Sequence, residues 1–262
     1  MWIPKSVTAL IQRGLRSCGY ELRTLTQPTS FEMLMNELDP GFRAIYRNHL
    51  NVDGFDITQF TTYKIVEHLV KNRVPGDFVE CGVYRGRMAR VMIHTLQQLG
   101  ISDRSIYLYD TFAGMTRPTT DDYRGVPEDA EVVLAKWERG RQPDGINRWN
   151  HATLDEVRDG LHQTGYPPER VRFVPGDVLE TVTPNSHDRI AFLRLDTDWH
   201  ASTKHELECL YGRLVVGGVL VIDDYGRWRG SRKATDEFLE TLGSDAPLLV
   251  RTSGERVCVK LR

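Results

Sequence analysis

The stretch Asp77-Phe78-Val79-Glu80-Cys81-Gly82-Val83-Tyr84-Arg85-Gly86 decides the fold. A short apolar run of strand length, residues 78–81, passes through a glycine turn, and residues 88–99 continue with the length and periodicity of a helix. Working outward, the alternation repeats. Apolar runs of strand length lie at 106–109, 171–174, 190–195 and 219–222, and helical stretches at 154–163, 202–214 and 232–242. Strands that alternate with helices predict an α/β fold, a doubly wound and mostly parallel sheet covered on both faces. Residues 247–261 add two β-rich runs around Ser253-Gly254, a hairpin signal that places antiparallel strand at the C-terminal end. Before the first strand, Phe31-Leu34-Met35-Leu38, Phe42-Ile45-Tyr46-Leu50 and Phe60-Tyr63-Val66-Leu69-Val70 recur at helical spacing. The expected organisation is therefore a helical prefix over 1–72 and an α/β domain over 73–262.

The chain has 262 residues, 40% of them hydrophobic and 27% charged, which is the size and balance of one α/β domain with a small appendage. Thirty-four Lys and Arg against thirty-six Asp and Glu leave a formal charge of -2. Without a global basic field, neither nucleic acid nor an anionic membrane is an expected partner. No run reaches the roughly 18 apolar residues of a membrane span. The first 23 residues lack the apolar run and cleavage site of a signal peptide, and Val7, Leu10, Ile11 and Leu15 read as a terminal helix that packs on the domain or on a second subunit. Cys18, Cys81, Cys209 and Cys258 stand far apart, so neither a zinc knuckle nor a disulfide framework is expected, and the cytoplasm is the expected compartment.

In open parallel sheets ligands bind beyond the carboxyl ends of the strands. The first strand ends at Glu80-Cys81-Gly82-Val83-Tyr84-Arg85-Gly86, which matches neither a dinucleotide fingerprint nor a phosphate loop. Glu80 would repel a pyrophosphate but suits a ligand with a cationic end. The second strand ends at Asp110-Thr111-Phe112, where a carboxylate can accept from ribose hydroxyls, and Asp177 follows the third. Three acids and no phosphate loop point to a nucleoside without phosphate, of which S-adenosylmethionine is an example. The next two strands end in Asp196-Thr197-Asp198 and Asp223-Asp224. Four carboxylates at adjacent ends would raise one another's pKa values, a cost that a hard divalent ion, Mg²⁺ or Ca²⁺, removes by taking oxygen ligands.

These segments resemble the macrocin and mycinamicin sugar O-methyltransferase family, which includes the noviose O-methyltransferases and uses S-adenosylmethionine and Mg²⁺. The resemblance is carried by Gly76 through Val83 with Arg85-Gly86, by Tyr109-Asp110-Thr111-Phe112, by residues 170–176, by Leu193 through Asp198, and by Gly217-Gly218-Val219 through Tyr225. It implies a Rossmann-like methyltransferase domain in which Asp196, Asp223 and Asp224 are metal ligands and Asp198 is the general base. Glu80, Gly82, Gly86, Asp110, Thr111, Phe112 and Asp177 would line the cofactor site. The helical prefix would be a lid and homodimer contact, with Glu32 and Tyr46 touching a sugar or glycoside acceptor. One departure stands out: Asp198-Trp199-His200-Ala201-Ser202-Thr203 replaces the family's usual Asp-x-Tyr-Glu-Ser-Thr, which makes His200 a second base candidate. Trp137, Trp149, Trp199 and Trp228 are candidates for sugar stacking or for packing. Asp196-Thr197-Asp198 also fits a metal-dependent nucleotide-sugar glycosyltransferase, though that reading leaves Asp223, Asp224 and Glu80 without a role.

Overall fold

A computed structural model describes residues 30–50 and 54–262, with side chains from Met33 onward. The stripe at Val7 to Leu15 and the side chain of Glu32 lie outside the described residues. The chain forms two units, Met1–Asp39 and Pro40–Arg262. The first contains helix α1, Ser30–Glu37. The second opens with α2, Pro40–Ile45, which runs into a wider turn, Tyr46–Leu50, and then α3, Ile57–Lys71. The break at Asp39 differs from the expected one at 72/73. Its reason is packing: α3 buries Tyr63, Ile65, Val66 and Leu69, and it pairs with the first helix of the α/β region.

From there the alternation follows the expected order. Strand β1, Asp77–Cys81, leads to α4, Arg87–Gln98, and β2, Ile106–Asp110. Helices α5, Asp129–Gly140, and α6, Leu154–His162, precede β3, Val171–Pro175. A single turn of helix, α7, Val178–Thr181, precedes β4, Ile190–Leu195, and α8, His200–Leu210, precedes β5, Leu214–Ile222. Helix α9, Arg229–Leu242, and a hairpin of β6, Val250–Arg251, and β7, Arg256–Val259, complete the unit. The sheet order is β3-β2-β1-β4-β5-β7-β6, with the first five strands parallel and β7 antiparallel to β5 and β6.

Strands β1 and β4 are central and almost wholly buried, as their near-continuous apolar runs require of a sheet covered on both faces. Phe78 and Phe192 meet edge to face at the middle, and each such ring contributes about 1.5–3 kcal/mol by burial. The strand order reverses between β1 and β4, so their adjacent carboxyl ends are the topological switch point at which such sheets take ligands. No described helix is long and apolar enough to cross a membrane.

Candidate active site

The strand ends converge because the hydrogen-bond ladder continues past the strands. Gly82 donates to the Tyr109 carbonyl at 2.8 Å, Asp196 to Cys81 at 2.8 Å, Asp223 to Leu195 at 2.9 Å and Gly176 to Asp110 at 2.9 Å. Gly82 has φ +84, and a Cβ there would stand 2.0 Å from the Asp196 carbonyl oxygen. Only glycine permits that approach. Asp110 secures the turn, its Oδ2 accepting from the amides of Val83 at 2.7 Å and Tyr84 at 2.9 Å, and its Oδ1 from Phe112 at 2.8 Å. Tyr84, Phe112 and Asp198 carry left-handed backbone, with φ of 50, 51 and 68. Three of the five non-glycine residues with positive φ among the described residues thus stand at strand exits, where the surroundings must hold the strain.

One cavity opens over these exits. Of the residues assigned from sequence, Glu80, Gly82, Asp110, Thr111, Asp177, Asp196, Asp198, Asp223 and Asp224 line it. Several of them already have structural work. Asp177 caps α7 by accepting from the Leu179 amide, and Asp110 spends its oxygens on the turn. Four assigned residues stand elsewhere. Gly86 caps α4 with φ +71, between the cavity-lining Arg85 and Arg87, and a Cβ there would face Val157 and Leu161. Phe112 meets Phe173 edge to face. Tyr46 belongs to an aromatic cluster with Phe42 and Phe55, away from the cavity wall. His200 turns its Nε2 to Glu237 at 3.2 Å, while its amide donates to the buried Asp122 at 2.8 Å.

Arg194 is the residue at the centre of the acids, and it is 2% exposed. Its Nη1 donates to Glu80 Oε1 at 3.1 Å and Asp196 Oδ2 at 2.6 Å, and its Nη2 donates to Asp223 Oδ1 at 2.5 Å. In sequence it reads as the polar member of Leu193-Arg194-Leu195 and carries no functional signature. The available signal is a full charge in a strand otherwise buried on both faces. Asp56, the N-cap of α3, and Arg227, Arg124 and Trp228 also line the cavity without a sequence assignment as site residues, Trp228 having stood only as a stacking candidate. Trp199 and Trp228 are buried and pack with Trp149, and Trp137 donates to the Met115 carbonyl.

Three carboxyls thus pair with one buried guanidinium, and Asp198 and Asp224 stand beside them. Burial pushes Glu80 up to about 7 against the pull of Arg194. Asp198 rises to about 7 through burial first and repulsion by Asp196 second, while Asp224 and Trp228 beside it act in the opposite direction. Asp196 and Asp224 are held well above the ordinary carboxylate range, again by burial and then by neighbouring acids, whereas those acids keep Arg194 charged despite its burial. Glu80 Oε2 is buried without a partner in the cavity wall.

This donor set fits a hard divalent ion. Asp196, Asp223 and Asp224 each offer an oxygen, and those three atoms lie within 4.8 Å of one another. Oxygen ligands of Mg²⁺ lie about 2.0–2.1 Å from the ion, so two of them on one ion stand no more than about 4.2 Å apart, close to the spread of this trio. An ion would also replace the protons that the crowded acids otherwise retain. The cofactor side fits too, with a glycine turn that clears space and an acid whose free oxygen awaits a cation or donor.

A family profile described as macrocin-O-methyltransferase (TylF) matches residues 59–253. The chain is 32% identical over 173 residues to a demethyldecarbamoylnovobiocin O-methyltransferase of Streptomyces niveus, covering 66% of this chain and 62% of that one. It is 34% identical over 160 residues to an 8-demethyl-8-(2,3-dimethoxy-alpha-L-rhamnosyl)-tetracenomycin-C 4'-O-methyltransferase of Streptomyces olivaceus, covering 61% and 57%. The matched region therefore spans about three fifths of these relatives' own length. Among solved structures, the O-methyltransferase NovP superposes with a TM-score of 0.67 at 29% identity, over 78% of this chain and 80% of that one.

Proposed function

Because the chain belongs to the macrocin O-methyltransferase family, we propose that it transfers a methyl group from S-adenosylmethionine to a hydroxyl of a sugar or glycoside, with Mg²⁺ held by Asp196, Asp223 and Asp224. The observation that carries this reading is the meeting of those three aspartates with the Gly82 turn in one cavity. The relatives' own activities, one of them O-methylation of a rhamnosyl compound, support the acceptor class. A glycosyltransferase reading of Asp196-Thr197-Asp198 has no such support.

When bound, the cofactor supplies a methyl on a sulfonium sulfur, and the ion supplies a Lewis acid that lowers the pKa of an alcohol. The chain's residues do the rest. Glu80 Oε2 offers an acceptor to the cationic end of the cofactor, and Gly82 clears its path. Asp198 lies at the cavity wall and would take the proton of the acceptor hydroxyl as its oxygen accepts the methyl group. His200, bound to Glu237 and absent from the wall, is not needed as base. General base catalysis supplies about 10²- to 10⁴-fold, whereas alignment of nucleophile and methyl is worth about 7–11 kcal/mol, so positioning dominates.

The same reading includes a homodimer formed through the helical prefix, which light scattering tests. It also includes a cytoplasmic location, which suits the free, buried Cys81, Cys209 and Cys258. The direct test is transfer of labelled methyl to a panel of free and glycosylated monosaccharides, with Mg²⁺ or with EDTA. Metal-dependent labelling of a sugar is expected. Labelling that survives EDTA overturns the metal assignment, and transfer to no sugar overturns the acceptor class.

A further inference from the structure

Arg194 does more than balance charge. In the register of the sheet it lies directly opposite Glu80 on β1 and Val221 on β5. Cross-strand partners share a face, and Asp196, two residues on, emerges on that same face. From this position one planar guanidinium reaches acids on three adjacent strand ends: Glu80, Asp196 and Asp223. It takes one oxygen of Asp196, Oδ2, and one of Asp223, Oδ1, which leaves Asp196 Oδ1 and Asp223 Oδ2 for another ligand. Arg227 approaches Asp223 Oδ2 only to 3.7 Å and is half exposed. Asp224 is oriented separately, its Oδ2 accepting from the Asp198 amide at 3.2 Å.

We propose that Arg194 is a positioning residue of the metal site, presetting the two free oxygens of Asp196 and Asp223 beside Asp224 so that one divalent ion finds them already gathered. This rests on the metal reading above. Partners that orient metal ligands change affinity by about 10- to 100-fold when lost. A lysine keeps the charge but has a single nitrogen and no planar fork, so it cannot hold three carboxylates in that arrangement. The alternative role, simple neutralisation, gives the opposite signs. A cation beside a metal site repels the metal, so a mere counter-charge would be replaceable by lysine, and its removal would tighten metal binding.

The experiment uses Mn²⁺ as probe, with its binding to the full chain followed by electron paramagnetic resonance in the absence of acceptor. Melting temperature serves as the fold control. The wild type is expected to bind one Mn²⁺, and Asp223→Asn to bind it far more weakly. Arg194→Lys is expected to bind about 10- to 100-fold more weakly than wild type, and at saturating metal most of its turnover should return. The double variant Glu80→Gln/Arg194→Gln removes an acid together with the base, and it replaces Arg194→Lys if that chain does not fold; its Mn²⁺ binding is expected to weaken as well. Wild-type affinity in Arg194→Lys, or wild-type or tighter binding in the double variant, overturns the inference while leaving the metal site standing. Equal Mn²⁺ binding by wild type and Asp223→Asn overturns the metal reading and the inference with it.

Discussion

At the amino ends of the strands Arg104 donates to the carbonyls of Val74 and Gly76 and lies over the ring of Phe78, while its own carbonyl accepts from the Tyr166 hydroxyl at 2.8 Å. At the carboxyl ends Arg194 instead faces Glu80, Asp196 and Asp223, with Asp198 and Asp224 close by. Both arginines are anchors, but the first hydrogen-bonds neutral carbonyls, with Asp103 and Asp77 near enough to favour its charge. The second is outnumbered by acids, several of which have their pKa values raised by burial and by one another. A folding ledger alone gives no reason for that excess, since buried like charges cost stability. The difference between the two ends marks where a cation from outside is expected.

Substitution can break the comparison at either end. The largest effect is expected from Asp196→Ala or Asp223→Ala: turnover should fall by about 10⁴-fold or more, because alignment is lost, and the remaining rate should ignore Mg²⁺. Assays across a metal titration check both. Asp198→Asn should lower turnover by about 10²- to 10⁴-fold with metal binding retained. As the base, Asp198 should make wild-type turnover rise with pH as its carboxyl ionises, and the variant should lose that rise.

The acids also set a stability trend. Glu80 and Asp198 have folded pKa values near 7, above their ordinary values of 4.5 and 3.8, so the native state holds more protons than the unfolded one between about pH 4 and 7. Their contribution is complete below that window and is lost as pH rises through 7. Added Mg²⁺ should therefore raise the melting temperature at pH 8 and barely change it at pH 5, where the acids stay protonated. Scanning calorimetry with Mg²⁺ or EDTA at the two pH values decides this. His94, buried and lowered to about 4, has the opposite sign, losing stability as pH falls below about 6.5, so the comparison is cleanest above neutrality. The smallest expected effect lies at the amino ends. Arg104→Met should cost about 1–3 kcal/mol by leaving carbonyls unpaired, about 2–4 °C per kcal/mol in melting temperature, with turnover unchanged. A fall in turnover matching that of Asp198→Asn would erase the distinction between the two ends.

Much of this was legible in the sequence for a physical reason. The runs that became β1, β2, β3, β4 and β5 are short, apolar and bounded by turns, and their terminal acids fall at exits that a parallel sheet must bring together. Helix α5 was not legible: it buries Val133 and leaves most of its other side chains solvated or half-buried, so it lacks a periodic apolar stripe. Tyr46 and Gly86 show the converse limit. Each has a residue type suited to binding, yet Tyr46 packs on Phe42 and Gly86 faces Val157 and Leu161. Arg194 was hidden because alternation along a strand reads a lone charge as solvent-facing, and only the register with Glu80 shows it buried.

The central claim is that Asp196, Asp223 and Asp224 hold one divalent ion beside the reacting hydroxyl. Anomalous diffraction from crystals grown with Mn²⁺ and S-adenosylhomocysteine tests it most directly. A single Mn²⁺ peak bounded by oxygens of all three aspartates is the expected result. Cofactor density over the Gly82 turn, with no peak between those side chains or with the peak at other residues, would contradict it.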